Sequence, residues 1–340
     1  MSAASSYQSL AASVRSGQRR ALARSITLIE SSRRADQDTA EALLTELLPD
    51  TGNSIRLAIS GSPGVGKSTF IEAFGIHLLE QGHRVAVLAI DPSSARSGGS
   101  ILGDKTRMEQ LTRRPEAFIR PSPAGRTLGG VARRTREAML VCEAAGFDVI
   151  IVETVGVGQS ETLAAEMTDM FLLLLPPGGG DDLQGIKRGI MELADLVLVN
   201  KADGDLLAAA RRAASDYGHA LGLMQPRSRS WRAEVKLCSA ATGQGIDAVW
   251  DSVCAYRQAL QQSGEFQQQR AGQARSWLWQ ELREGLLQEF QSDAAIRAAL
   301  PTIEAAVVAG TTPAPLAARD LLNQFLAPQV SDGGHNPRSM

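Results

Sequence analysis

Aromatic residues make up only 4% of the 340 positions, too few for the stacking platform that binds a single-stranded nucleic acid. An excess of one charge is also missing. Lys and Arg together number 35 against 37 Asp and Glu, a formal net charge of -2, so no polybasic field draws the chain to nucleic acid or to a membrane surface. No apolar run approaches the ~20 residues that span a bilayer; the strongest, Phe171–Leu175, stops at Pro176-Pro177. Cysteine is scarce and scattered, at Cys142, Cys238 and Cys254. No CxxC pair or Cys/His metal spacing occurs, which excludes a disulfide framework or zinc site and points to a reducing compartment. What is present is 44% hydrophobic residues, ample core for one large α/β domain with additions, or for two domains.

The first 34 residues hold six Arg and one Glu among many Ser and Ala, a composition shared with mitochondrial transit peptides. Leu10, Val14, Ala21, Ile26 and Ile29 recur at loose helical spacing, and no apolar secretion segment is present. We read an Arg-bearing amphipathic helix and a cytoplasmic protein. Of the 35 Lys and Arg only five are Lys: Lys67, Lys105, Lys187, Lys201 and Lys236. A compact ammonium was kept there where the rest of the chain uses the guanidinium fork.

Beyond residue 50 the pattern alternates. Short apolar runs at 55–60, 84–90, 148–152, 170–175, 196–200 and 235–238 read as strands. Helical spacing covers 68–81, 128–145, 184–193, 206–221 and 245–262. Near-continuous apolar strands between helices predict a mainly parallel sheet covered on both faces, an α/β fold. Residues 1–50 read as a helical extension, 51–263 as the sheet domain, 264–328 as a helical arm and 329–340 as a disordered tail.

Gly61-Ser62-Pro63-Gly64-Val65-Gly66-Lys67-Ser68-Thr69 fits GxxxxGK[ST] between a strand and a helix, as a phosphate-binding P-loop requires. Backbone N–H groups of the turn and the helix N-terminus cradle phosphates, Lys67 adds a point charge, and the Ser68 hydroxyl joins Mg²⁺ coordination. Asn200-Lys201-Ala202-Asp203 follows a later strand. There a carboxylate accepts from guanine N1–H and the 2-amino group, which adenine cannot offer. Ser239, Ala240 and Ala241 supply backbone N–H groups for the guanine carbonyl, so GTP/GDP is the expected nucleotide.

Between these motifs, Glu153 ends a strand where many GTPases carry a Mg²⁺-side Asp. Asp91 closes another strand beside the P-loop, placed for Mg²⁺ or the attacking water. Asp104 and Lys105 lie in a Gly-rich loop, the pattern of a segment that orders around Mg²⁺·GTP; a solvated loop Asp is the plainer reading of Asp104. Gly178-Gly179-Gly180-Asp181-Asp182 follows Pro176-Pro177. Three successive glycines cost folding entropy that a mobile functional loop accounts for better than a passive linker. The water-positioning Gln expected after Gly156 is missing, and Gln159 comes late. Lys187, just beyond the third glycine loop, is a candidate cation for the γ-phosphate, with a surface lysine as its bland alternative.

These segments resemble a family. GSPGVGKST at 61–69, AIDPSS at 89–94, GSILGDKTRM at 99–108, RTLGG at 126–130, VETVGVGQSE at 152–161 and NKAD at 200–203 are similar to the MeaB/ArgK-type G-protein chaperones of adenosylcobalamin-dependent acyl-CoA mutases. The match spans about residues 50–250, and the unusual Glu153 is the family's own variant. The resemblance implies a P-loop GTPase fold and hydrolysis of GTP to GDP. It implies Mg²⁺ and switch roles for Asp91, Asp104 and Glu153, a mobile third switch at 178–188, and a homodimer built by the C-terminal helices. The partner it implies is a mutase whose cobalamin loading or removal is gated, with no nucleic acid and no membrane. Two other classes stay open: a P-loop kinase, including one with arginine-kinase-like activity, and a protein-targeting GTPase. NKAD speaks against the first, and eight unclustered Met speak against the second. No cobalamin-binding His motif occurs, and the client mutase is not specified.

Overall fold

The computed structural model describes residues 3–31, 33–90, 108–121, 128–154, 159–178 and 188–326. Seven parallel strands form one sheet in the order β3-β2-β4-β1-β5-β6-β7. They are β1 (Ile55–Gly61), β2 (Val85–Ile90), β3 (Ala117–Arg120), β4 (Val149–Thr154), β5 (Met170–Leu175), β6 (Leu196–Val199) and β7 (Glu234–Leu237). Three helices precede the sheet: α1 (Ala3–Arg15), α2 (Arg19–Glu30) and α3 (Arg34–Leu47). Between strands run α4 (Lys67–Glu80), α5 (Glu109–Arg113), α6 (Leu128–Ala144), α7 (Gln159–Met167), α8 (Arg188–Met191) and α9 (Leu207–Gly222). After β7 come α10 (Ile246–Ser263), α11 (Glu265–Ser292), α12 (Ala294–Val308) and α13 (Ala314–Leu326).

The strands send alternate side chains to two separate cores, because their period is two. Leu57, Ile59, Val87, Ile151, Leu172, Leu174 and Leu198 pack with Phe70, Phe74, Leu78, Val249 and Val253 of α4 and α10. Ala58, Leu88, Ile150, Val152, Leu173 and Val197 pack on the other face. There α6 is joined by α1 to α3 through Val14, Leu22, Ile26, Leu43 and Leu47, so the N-terminal helices share the sheet's own core. With both faces covered, the apolar runs need no polar alternation, which is why they read so clearly in the sequence. Glycine ends α4 sharply. Gly82 adopts φ +88, and the N–H groups of His83 and Gly82 bond back to Leu78 and Leu79 at 3.0 Å each, a Schellman stop.

Two strand readings are revised. β3 lies at the sheet edge, in a stretch to which the sequence reading assigns no element. Its four residues lie between Glu116 and Pro121, and the last of them, Arg120, is paired with Glu30 of α2. β4 continues through Thr154, so Glu153 is part of the strand.

Buried ion pairs hold the N-terminal ends of the central strands. Arg56 of β1 donates two bonds of 2.9 Å to Glu143, which also accepts from Ser54 Oγ and Gly52 N–H. Burial pushes the Glu143 carboxyl up, but Arg56, Ser54 and Gly52 together outweigh it and hold the group below its ordinary value. Asp169, just before β5, accepts a bidentate pair from Arg270 of α11 at 2.8 and 2.7 Å. Residues up to Gln273 form one unit, and those from Ala274 a second. In the second, Asp293 caps α12 by accepting from Ala295 and Ile296 N–H at 2.9 Å, and Phe290 meets Phe325 edge-on. Among the described residues no helix is long and apolar enough to cross a membrane.

Candidate functional site

The central strand β1 lies between β4 and β5, and its C-terminal end opens into the Gly61–Gly66 turn before α4. Two glycines are required there. A Cβ at Gly61 would overlap the carbonyl oxygen of Leu174 on the neighbouring strand. Gly66 sits at φ 94 and ψ 31, and a Cβ there would lie 2.9 Å from Asn200 Nδ2. The turn presents its N–H groups at the N-terminus of α4, a ready anion cradle. Lys67 Nζ donates to Gly61 O at 2.7 Å and Ser62 O at 3.2 Å, which holds the ammonium over the turn.

Beside it, Ser68 Oγ donates to Glu153 Oε1 at 3.3 Å. Glu153 is only 3% exposed, because its strand is flanked on both sides, with Ile59 and Ala89 as its register partners. Thr154 Oγ1 donates to Ser60 Oγ at 2.9 Å, tying the ends of β4 and β1 together. A hydroxyl and a carboxylate oxygen thus converge at the start of α4. Both are hard oxygen donors, the chemistry Mg²⁺ takes. Among the described residues no three His, Cys, Asp or Glu side chains gather in metal-binding fashion. The other expected donors, Asp91 and Asp104, lie outside the described residues, as do Lys105, Lys187 and most of the 178–188 loop.

The end of β6 meets the P-loop directly. Asn200 is 1% exposed; its Nδ2 donates to Val65 O at 2.9 Å and its Oδ1 accepts from Ala240 N–H at 3.1 Å. Cys238 Sγ lies 3.8 Å from the same oxygen, and burial pushes this thiol up to about 12, so it stays a neutral donor. Lys201, at φ 60, donates from Nζ to Gly64 O at 2.8 Å. Asp203 begins a single 3-10 turn, Gly204–Leu206, without spending its carboxylate on the cap. The 239–241 segment is shaped by Ser239, whose N–H donates to Gln244 O and whose Oγ accepts from Thr242 N–H. Gly61 to Thr69, Asn200 to Asp203 and Ser239 to Ala241 are therefore one contiguous surface. Sequence reading did not identify Asn200 as the link. Its partner Val65 is 135 positions away, and no local pattern carries that contact.

A parallel sheet of this order, a phosphate loop at the end of its central strand, and a buried Asn joining that loop to two base-side segments define a P-loop GTPase. A family profile described as "Methylmalonyl Co-A mutase-associated GTPase MeaB" matches residues 22–295. A "Putative GTPase" of Caulobacter vibrioides is 55% identical over 309 residues, covering 91% of this chain and 94% of the relative. The "Methylmalonic aciduria type A homolog, mitochondrial" of Mus musculus is 49% identical over 319 residues, 91% and 77% of the two chains. A solved structure described as "Crystal structure of LAO/AO transport system kinase" superposes with TM-score 0.76 at 38% identity, covering 94% of this chain and 98% of that one. The chain belongs to the MeaB family of methylmalonyl-CoA mutase-associated GTPases, and its nucleotide is a guanine nucleotide.

Proposed function

We propose that this GTPase gates the loading of adenosylcobalamin, or the removal of damaged cofactor, in a cobalamin-dependent acyl-CoA mutase, acting in the cytoplasm as a homodimer. The observation that carries the reading is the match of residues 22–295 to a mutase-associated GTPase family. In the proposed cycle the N–H groups of 61–66 and the Lys67 ammonium hold the β- and γ-phosphates. The Asp203 carboxylate accepts from guanine, with Ala240 and Ala241 N–H groups facing its carbonyl. Ser68, Asp91, Asp104 and Glu153 hold Mg²⁺, which supplies charge neutralisation on the phosphates; the 3.3 Å approach of Ser68 to Glu153 supports half of that set. Asp104 and Lys187 join the site when the mutase closes their loops. An added cation there is worth about 10³–10⁵ in rate, so turnover alone is slow. The exposed Leu278, Trp279, Leu282 and Leu286 of α11 support a dimer face on the C-terminal helices.

A kinase reading is favoured by one observation, the likeness to the 38% identical "LAO/AO transport system kinase". One experiment separates the two. GTP labelled on its γ-phosphate is incubated with the protein, with and without the acyl-CoA mutase of the same genome, and with free arginine. The proposal expects label in inorganic phosphate, release stimulated by the mutase, and loss of that stimulation in Lys187→Ala with nucleotide affinity nearly intact. Label on arginine favours the kinase. Full stimulation of Lys187→Ala removes the third switch as trigger.

A further inference from the structure

The pairing between β1 and β4 ends before the strands do. Its last register pair is Ile59 opposite Glu153. Beyond that step β1 continues beside β5, with Gly61 opposite Leu174, and β4 continues beside β2, with Thr154 opposite Ile90. The seam between the two central strands therefore opens where they reach the P-loop. Its two sides carry different oxygen donors: β1 leads into α4 and Ser68, while Glu153 stands on β4.

A side-chain contact spans that opening. Thr154 Oγ1 donates to Ser60 Oγ at 2.9 Å, with Thr154 fully buried and Ser60 only 1% exposed. Strand alternation sets where this bond lies. Ile59 and Ile151 pack toward α4, and Glu153 shares their side and reaches Ser68. Ser60 and Thr154 share the side of Ala58 and Val152, which pack toward α6. The hydroxyl pair is thus on the reverse face of the sheet from α4, one residue along from Glu153. Stability alone does not account for it. Replacing both partners of a buried hydrogen bond by apolar groups of the same shape is nearly neutral, so Ala and Val would fill these positions at little cost. They would not supply a directional tie between the strand ends, made where water does not compete.

We propose that Thr154 and Ser60 are positioning residues for Mg²⁺ binding: their bond holds the end of β4 against the end of β1 and so keeps Glu153 in place beside Ser68. The proposal rests on the reading of Ser68 and Glu153 as Mg²⁺ donors. Mg²⁺ demands near-ideal octahedral geometry with oxygens at about 2.1 Å, so slack at the seam weakens the ion before it disturbs the phosphates. The phosphate cradle has its own support, in the register of Gly61 with Leu174 and the Lys67 bonds to Gly61 and Ser62.

The test titrates Mg²⁺ into the full-length protein with a fluorescent, non-hydrolysable GTP analogue. It reads the analogue's affinity in EDTA and the Mg²⁺ concentration that gives half of the added affinity. Thr154→Val removes the hydroxyl and keeps the shape. It should raise that concentration about fivefold, one ordinary hydrogen bond expressed as a ratio, and leave the affinity in EDTA unchanged. Thr154→Ser, which keeps the hydroxyl, should match the parent. Ser60→Ala should match Thr154→Val, and the double variant should be no weaker than either, because the two share one bond. A lower melting temperature in Thr154→Val with the Mg²⁺ midpoint unmoved would show a purely structural role and overturn the proposal, as would a Thr154→Ser variant no better than Val. Glu153→Gln separates this proposal from the reading beneath it. An unmoved midpoint there removes Glu153 as a donor and the proposal with it, whereas a shift in Glu153→Gln without one in Thr154→Val refutes the tie alone.

Discussion

Asn200→Ala probes the joint on which the nucleotide site depends. The side chain is 1% exposed and bridges Val65 O at 2.9 Å to Ala240 N–H at 3.1 Å. Truncation leaves a carbonyl and an amide without their partner. Each unsatisfied buried group costs about 1–3 kcal/mol, and Ala240 is half-buried and sits at the low end, so the expected loss is about 2–4 kcal/mol of folding stability. Equilibrium unfolding in guanidinium chloride of the nucleotide-free protein measures it. The same cut separates the P-loop from the base-side segment, so GTP and GDP should both bind more weakly, by similar factors. Asn200→Asp is the sharper variant. It keeps an acceptor for Ala240 N–H but turns an acceptor toward Val65 O, so it should be at least as damaging as Ala. A loss under about 1 kcal/mol with unchanged affinity for both nucleotides would refute the bridge.

Gly61→Ala should abolish nucleotide binding and lower stability, since its Cβ would overlap Leu174 O; thermal melting and a fluorescent-nucleotide titration check both effects. Asp195→Asn tests the buried carboxylate by pH. Its value rises from 3.8 unfolded to about 6 folded, so the native state binds more protons in that interval and stability falls as pH rises through it. The penalty, absent below about pH 4, reaches on the order of 3 kcal/mol above about pH 6. The Asn variant should gain on the parent by that amount between about pH 4 and 7.5 in denaturant melts, and a pH-independent difference would contradict the shift. Truncation after Gln273, which retains the Arg270–Asp169 pair, should leave a monomer in light scattering if the C-terminal helices build the dimer; an unchanged dimer removes that reading.

The parts of the fold that were legible in the sequence are those buried on both faces. Met170–Leu175 and Val149–Val152 are nearly unbroken apolar runs because neither side of the central strands meets water. β3 was not legible: Ala117-Phe118-Ile119-Arg120 offers three apolar residues at the sheet edge, and its fourth pairs its charge with Glu30. The P-loop reads from spacing alone because its function is a backbone shape set by glycine. The Asn200 bridge does not, since Val65 becomes its neighbour only when β1 and β6 are placed on either side of β5. Arg270 was likewise hidden. It lies in a run of Gln and Arg that reads as a solvated helix face, yet it pairs with a carboxylate whose side chain is 1% exposed.

The base specificity of the site is tested most directly by the affinities of Asp203→Asn for GTP and XTP, measured side by side with the parent. The carboxylate of Asp203 is taken to accept from guanine N1–H and the 2-amino group. In XTP that amino group is a carbonyl, which an amide N–H can meet. The variant should lose about tenfold or more in GTP affinity, the effect of a lost bond to a charged group, while XTP binding strengthens over the parent. Equal loss of both nucleotides, or GTP binding unchanged, would contradict the assignment of Asp203 as the residue that reads the base.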